Sequence, residues 1–135
     1  MSRLESKFPM AEPKIIPCPS CDTLNRVPAE RLGQGGKCGS CKSPLFTGKP
    51  IVLSRERFDR HAGAADLPLV VDFWASWCGP CRAMAPAFEA AAAEVEPRAR
   101  LAKVDTDAEQ RPAARFRIQA IPTLVLLKGG REIAR

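Results

Sequence analysis

All six cysteines of this 135-residue chain fall into three Cys-x2-Cys pairs, at 18 and 21, 38 and 41, and 78 and 81. That single feature limits the folds and chemistries open to the chain. A Cys-x2-Cys pair closes either on an ion, with a second pair completing the set, or on itself as a disulfide. The start, "MSRLESKFPMAEPK", carries charges at Arg3, Glu5 and Lys7 and has no apolar core of a signal peptide. A reducing cytoplasm is therefore expected. There, paired cysteines are metal ligands or redox catalysts more often than structural staples. No stretch approaches the ~20 apolar residues of a membrane span, so no membrane association is expected.

The first two pairs read Cys-x2-Cys-x16-Cys-x2-Cys, from Cys18 and Cys21 to Cys38 and Cys41. The spacing fits two knuckles separated by about 15–20 residues around one four-thiolate zinc. Small residues between the cysteines, Ser20, Gly39 and Ser40, let backbone amides approach the sulfurs. Four thiolates leave no open coordination position, so such an ion is structural rather than catalytic. Iron, or two disulfides in a loop, fits the same letters. Residues 18–46 contain few large apolar side chains, and metal binding would substitute for the missing core.

Charge does not overturn this reading. The net charge is +6, and residues 1–49 hold 8 Lys/Arg against 4 Asp/Glu. Four thiolates on a divalent ion contribute about −2 and cancel half of that excess. A nucleic-acid partner is thus not expected.

The third pair stands in different surroundings. "LPLVVDFWA" (67–75) is a near-continuous apolar run, as expected of a strand covered on both faces. The helix-forming stretch after Cys81 places Met84, Phe88, Ala91 and Val95 on an inner stripe, with Pro86 expected to kink it. Cys78 then lies at a helix start, where free backbone N–H groups and the helix dipole favour a thiolate. Gly79 permits close backbone approach and Pro80 suits the first turn. An exposed attacking sulfur at 78 and a concealed one at 81 are expected. The remaining pattern adds a short strand in "PIVLS", a helix capped by Ser54 through "RERFDRHAGA", a strand in "RLAKVDT", a short helix around Pro112, and a hairpin from "TLVLLK" through Gly129 and Gly130 to "REIAR". The order β-α-β-α-β-α-β-β with apolar central strands predicts an α/β sandwich. His61, the only histidine, reads as a surface residue of the first helix, and the groups Arg98/Arg100 and Arg111/Arg115/Arg117 read as solvated faces.

"DFWASWCGPC" followed by "AIPT" resembles thioredoxin over residues 51–135, and with the N-terminal pairs the chain resembles the zinc-carrying thioredoxin-2 type of the bacterial cytosol. The resemblance implies a thioredoxin fold, a central mixed sheet with helices on both faces, preceded by a small zinc-ribbon-like domain. With composition and turn residues marking a flexible lead-in over 1–17 and a linker over 47–50, it gives the division 18–46 zinc-binding domain and 51–135 thioredoxin domain. It implies a protein-disulfide reductase in which Cys78 attacks a substrate disulfide and Cys81 resolves the mixed disulfide. The oxidised pair is then reduced by a flavin-dependent thioredoxin reductase, with no organic cofactor on this chain. Asp72, a carboxylate inside the apolar run, matches the residue that helps Cys81 lose its proton, and burial should raise its pKa. Lys103 matches a lysine near that Asp. Pro122 matches a cis-proline beside the pair; Trp77, Gly79, Pro80 and Ile121 match the flat docking surface, while Trp74 packs beneath it.

Two departures stand out. Arg117 occupies the place of a glycine that closes a helix in a left-handed conformation, which costs roughly 1 kcal/mol if the backbone keeps that shape. The family also continues beyond "REIAR" with more of the last strand and a final helix, so further residues are expected after Arg135. A monomer is expected; a chain ending here would leave apolar strand surface open and favour self-association. A zinc-ribbon binding module and a redox-sensing chaperone are the competing functions. The pairing of Asp72 with Pro122 favours the reductase, because an adaptor needs neither.

Overall fold

The computed structural model describes residues 12–135. The expected lead-in over residues 1–11 lies outside the described residues. The lead-in does not extend to residue 17, however, because β1 (Lys14–Pro17) is a strand paired antiparallel with β2 (Leu24–Val27). A 3-10 turn over Ala29–Arg31 follows. The rest of the chain forms β3 (Ile51–Val52), α1 (Arg55–Ala62), β4 (Leu69–Trp74), α2 (Gly79–Val95), β5 (Arg100–Asp105), α3 (Gln110–Arg115), β6 (Thr123–Lys128) and β7 (Arg131–Ala134).

These seven-strand patterns divide into the β1-β2 pair and a five-stranded sheet ordered β3-β5-β4-β6-β7. β3, β5 and β4 run parallel, β6 runs antiparallel to β4, and β7 to β6. The sheet is mixed, and the alternation of β4 serves both faces. Leu69, Val71 and Phe73 point into a core shared with Phe58, Ala62, Val104, Phe116, Val125 and Leu127. Val70, on the other face, packs with Phe88, Ala92, Leu101 and Val95. Helices α1 and α3 therefore cover one side and α2 the other, the sandwich that alternating elements imply. On β6 and β7, Leu124 and Ile133 stay exposed.

Local details depart from expectation in instructive ways. The stripe of α2 is carried by Cys81, Phe88 and Ala92, with Met84, Ala91 and Val95 only half-buried. The helix runs on through Pro86. Ser54 is the N-cap of α1, but its side chain makes no capping bond; Glu109, reaching from the start of α3, accepts from the Arg55 amide at 2.7 Å instead. A tertiary carboxylate has replaced the local hydroxyl. Gly129 and Gly130 both have positive φ, 60° and 81°, as a two-residue hairpin turn requires. Arg117 keeps the left-handed shape, with φ 53°, and its amide and that of Ile118 bond back to Ala114 and Ala113 to close α3.

The N-terminal unit is not self-sufficient. Its core of Ile16, Cys18, Cys38 and Leu45 includes Leu67, contributed from just before β4. Asp66 accepts from the Ile15 amide at 2.7 Å and donates its own amide to the Ile15 carbonyl at 2.9 Å. Arg100, at the start of β5, is only 2 % exposed. It donates to the carbonyls of Pro17, at 2.8 Å, and Leu45, and its guanidinium lies 5.0 Å from the Phe46 ring centroid. The expectation that Arg100 is solvated is thus overturned. A residue at the end of an apolar strand became the buried cation that ties two ribbon loops together.

Candidate redox site and thiolate cluster

Cys78 and Cys81 are disulfide-bonded, with Cα atoms 5.2 Å apart. β4 ends at Trp74, and the chain turns through Ala75–Trp77 into α2, for which Cys78 is the N-cap. The Cys78 sulfur accepts the Cys81 amide at 3.2 Å, taking the place of a capping oxygen. Any charge on that sulfur therefore meets the positive end of α2 and an N–H aimed at it.

The expectation of an exposed attacker and a concealed partner is not met in this oxidised state: Cys78 is 4 % exposed and Cys81 3 %. Both sulfurs pack with Ala75, Trp74 and Ile121. The Ile121–Pro122 peptide bond is cis, and the Ile121 carbonyl oxygen lies 3.8 Å from the Cys78 sulfur. Around this sealed pair, Gly79 and Pro80 are exposed at the helix start, Pro122 is half-buried, and Trp77 is 66 % exposed. Trp77, Ala113, Ile118 and Ile121 line a hollow of about 190 Å³ beside the disulfide. The Trp77 indole N–H donates to Asp107 at 2.8 Å. Asp107 was not legible as a site residue, since it lies thirty positions away in a polar turn.

Asp72 and Lys103 are brought to the face that carries α2. They are direct partners in the β4–β5 ladder. Asp72 is 1 % exposed, and among the described residues neither of its oxygens has a hydrogen-bond partner. Burial raises its pKa, and the Lys103 charge partly opposes the rise. The Lys103 ammonium lies 4.6 Å from the centroid of the Trp74 ring. Trp74 sits half-buried against the cysteine pair, and its indole N–H has no partner among the described residues.

Cys18, Cys21, Cys38 and Cys41 converge at the other end of the molecule. All four sulfurs lie within 4.8 Å of one another, with the 18–41 and 21–38 pairs at 3.6 Å. Four sulfurs at about 2.3 Å from one ion in a tetrahedron stand about 3.8 Å apart, so the set fits a four-thiolate site. The two knuckles are near copies. In each, the first cysteine's amide bonds five residues on, to Thr23 or Ser43, and its sulfur accepts the amide two residues on, from Ser20 or Ser40, at 3.3 Å. Asn25 joins the halves, accepting from the Gly39 amide at 2.9 Å and donating to the Cys38 sulfur at 3.5 Å. The Cys41 amide and Asn25 lower the Cys38 thiol to about 6, whereas burial raises Cys18 to about 11.

The residue after each knuckle, Asp22 or Lys42, has positive φ, 67° or 68°. Asp22 accepts from Arg57 Nε at 2.9 and 3.0 Å and lies 2.8 Å from His61 Nε2. His61 is 1 % exposed, which overturns the surface reading. The signal was hidden because its partner is 39 residues away, in a segment whose packing the helix pattern does not announce.

The thioredoxin family model matches residues 49–135, and the model of the thioredoxin 2 N-terminal zinc ribbon matches residues 17–43. Thioredoxin C-3 of Corynebacterium nephridii is 45% identical over 121 residues, covering 90% of this chain and 83% of that protein. Thioredoxin 1 of a Nostoc species is 44% identical over 76 residues, 56% of this chain and 71% of its own. Among solved structures, the thioredoxin Mala s 13 of Malassezia sympodialis superposes with a TM-score of 0.58 at 36% identity, covering 62% of this chain and 73% of that one.

Proposed function

The chain belongs to the thioredoxin family of thiol–disulfide oxidoreductases, and from that premise we propose that it is a protein-disulfide reductase with a structural zinc. The Cys78 thiolate attacks one sulfur of a substrate disulfide. A mixed disulfide forms, and the other substrate sulfur leaves as a thiolate. Cys81, deprotonated with the help of Asp72, then attacks the Cys78 sulfur, so the second substrate sulfur leaves and the 78–81 disulfide closes. Two electrons have passed to the substrate, and a flavin-dependent thioredoxin reductase returns them.

The observation that carries this reading is the disulfide at the N-cap of α2, packed against Ile121 and flanked by the exposed Trp77. Ionisation of Cys78 is favoured by the Cys81 amide and the helix start. Asp72 suits the proton-transfer role because burial holds its pKa up and it has no competing hydrogen bond. Lys103 modulates that carboxyl. Trp77, Gly79, Pro80, Ile121 and Pro122 form the surface for an extended substrate segment, whose main chain pairs with Ile121.

Cys18, Cys21, Cys38 and Cys41 would hold one zinc, which supplies folding energy to a unit with a small core and takes no part in electron transfer. Residues 18–46 would then serve as the zinc unit and 51–135 as the catalytic one, in a reducing cytosol. No helix among the described residues is long and apolar enough to cross a membrane. Thiol-dependent reduction of insulin tests the assignment. Activity should vanish in Cys78→Ser and persist in the Cys18→Ser/Cys21→Ser double variant; the opposite pattern overturns it.

A further inference from the structure

The two knuckles are geometric copies that differ in what their left-handed residue carries. Lys42, after the second knuckle, donates to the Gly39 carbonyl within its own turn at 2.9 Å. Asp22, after the first, reaches out of the ribbon to α1. Arg57 clamps this knuckle at two points: its guanidinium holds the Asp22 carboxylate at 2.8–3.0 Å and donates to the Pro19 carbonyl at 2.6 Å. The same side chain is anchored at its other edge to the Val52 carbonyl at 2.6 Å. His61 adds a third contact from the next turn of α1. Burial pushes Asp22 up, but the bonds from Arg57 and His61 outweigh it and keep the carboxyl ionised.

We propose that Arg57 of α1 and Asp22 of the first knuckle are positioning residues of the four-thiolate site, so that the catalytic unit itself sets the shape in which Cys18 and Cys21 are offered to the metal. The inference rests on the zinc reading of those cysteines. The turn from 18 to 22 directs the Asp22 carboxylate and the Pro19 carbonyl outward, toward α1. Arg57 binds both of those outward groups. Outer hydrogen bonds of this kind orient metal ligands, and removing them typically weakens metal affinity 10-fold or more.

The test is zinc affinity of the full-length reduced protein, by competition with a chromophoric chelator, in wild type, Arg57→Gln, Asp22→Asn and Lys42→Gln. Asparagine tolerates the left-handed backbone, so Asp22→Asn retains the fold, which circular dichroism checks. Arg57→Gln and Asp22→Asn should each weaken zinc binding, the former about tenfold, while Lys42→Gln stays within about twofold of wild type. A purely electrostatic influence gives a different pattern: deleting a positive charge and deleting a negative one shift affinity in opposite directions. Tighter or unchanged binding in either Asp22→Asn or Arg57→Gln overturns the inference and leaves the zinc reading standing. A reduced wild-type protein that takes up no zinc overturns both.

Discussion

Asp72 and Lys103 stand side by side on β4 and β5, yet among the described residues the carboxylate has no hydrogen-bond partner and the ammonium lies over Trp74. A buried acceptor without a partner costs about 1–3 kcal/mol. The fold retains this cost on the strand that leads into the cysteine pair.

Asp72→Ala should therefore be more stable than wild type at pH 8, by about 1–3 kcal/mol, in equilibrium denaturation. The sign follows from linkage. The folded-state pKa is raised above its usual 3.8, so the folded state binds the extra proton between the two values and loses relative stability as pH rises through them. The advantage of the variant should shrink as pH falls toward 4. The same variant should release substrate from the mixed disulfide more slowly, read by stopped-flow reduction of a model disulfide. An Asp72→Ala protein that is less stable at every pH would remove the carboxylate from this role.

Cys81→Ser should freeze mixed disulfides on Cys78, because nothing then attacks that sulfur from within the chain. Non-reducing electrophoresis after incubation with oxidised protein should show covalent adducts that vanish on adding dithiothreitol. In Cys78→Ser no comparable adducts should form, since the helix start and the Cys81 amide favour a thiolate at position 78 and not at 81.

His61 is the chain's only histidine, so one imidazole signal reports on it. Burial lowers its pKa to about 4, against the partial support of the Asp22 carboxylate. A group depressed in this way contributes stability that is complete above its unfolded value of about 6.5 and is lost as pH falls toward 4. The C2-proton resonance should stay in its neutral position down to about pH 5. A midpoint near 6.5 would mean that the ring is solvated and the contact with Asp22 is not formed.

Arg117 holds a left-handed backbone at the end of α3. Arg117→Gly relieves the Cβ penalty but frees the unfolded chain, and the net gain should be about 0.5–1 kcal/mol. Thermal melting checks this: the midpoint should rise by a few degrees, and a fall would show that the arginine side chain contributes contacts of its own.

The strands and helices after residue 50 and the grouping of the six cysteines were legible along the chain because each depends on neighbours a few residues apart, whereas the β1–β2 pair was not. Alternation marked β4, the glycine pair marked the hairpin, and the spacing of the N-terminal pairs matched one tetrahedron. The contacts that failed to show were those between segments. Glu109 caps α1 from 54 residues away, and Arg100 reaches back 83 residues to Pro17. Neither leaves a periodic trace, and an arginine at a strand end looks solvated until a second unit covers it.

What the chain determined unaided is therefore local: which residues can turn, alternate, cap and bind sulfur. The tertiary structure decided which distant polar groups meet. It sealed Cys78 as well as Cys81, buried His61 and Arg100, and set the ribbon against the N-terminal ends of β4 and β5 while the disulfide sits beyond the C-terminal end of β4. The physical reason is that a buried charge or amide must be satisfied by whatever the fold brings near, and sequence distance places no limit on what that is.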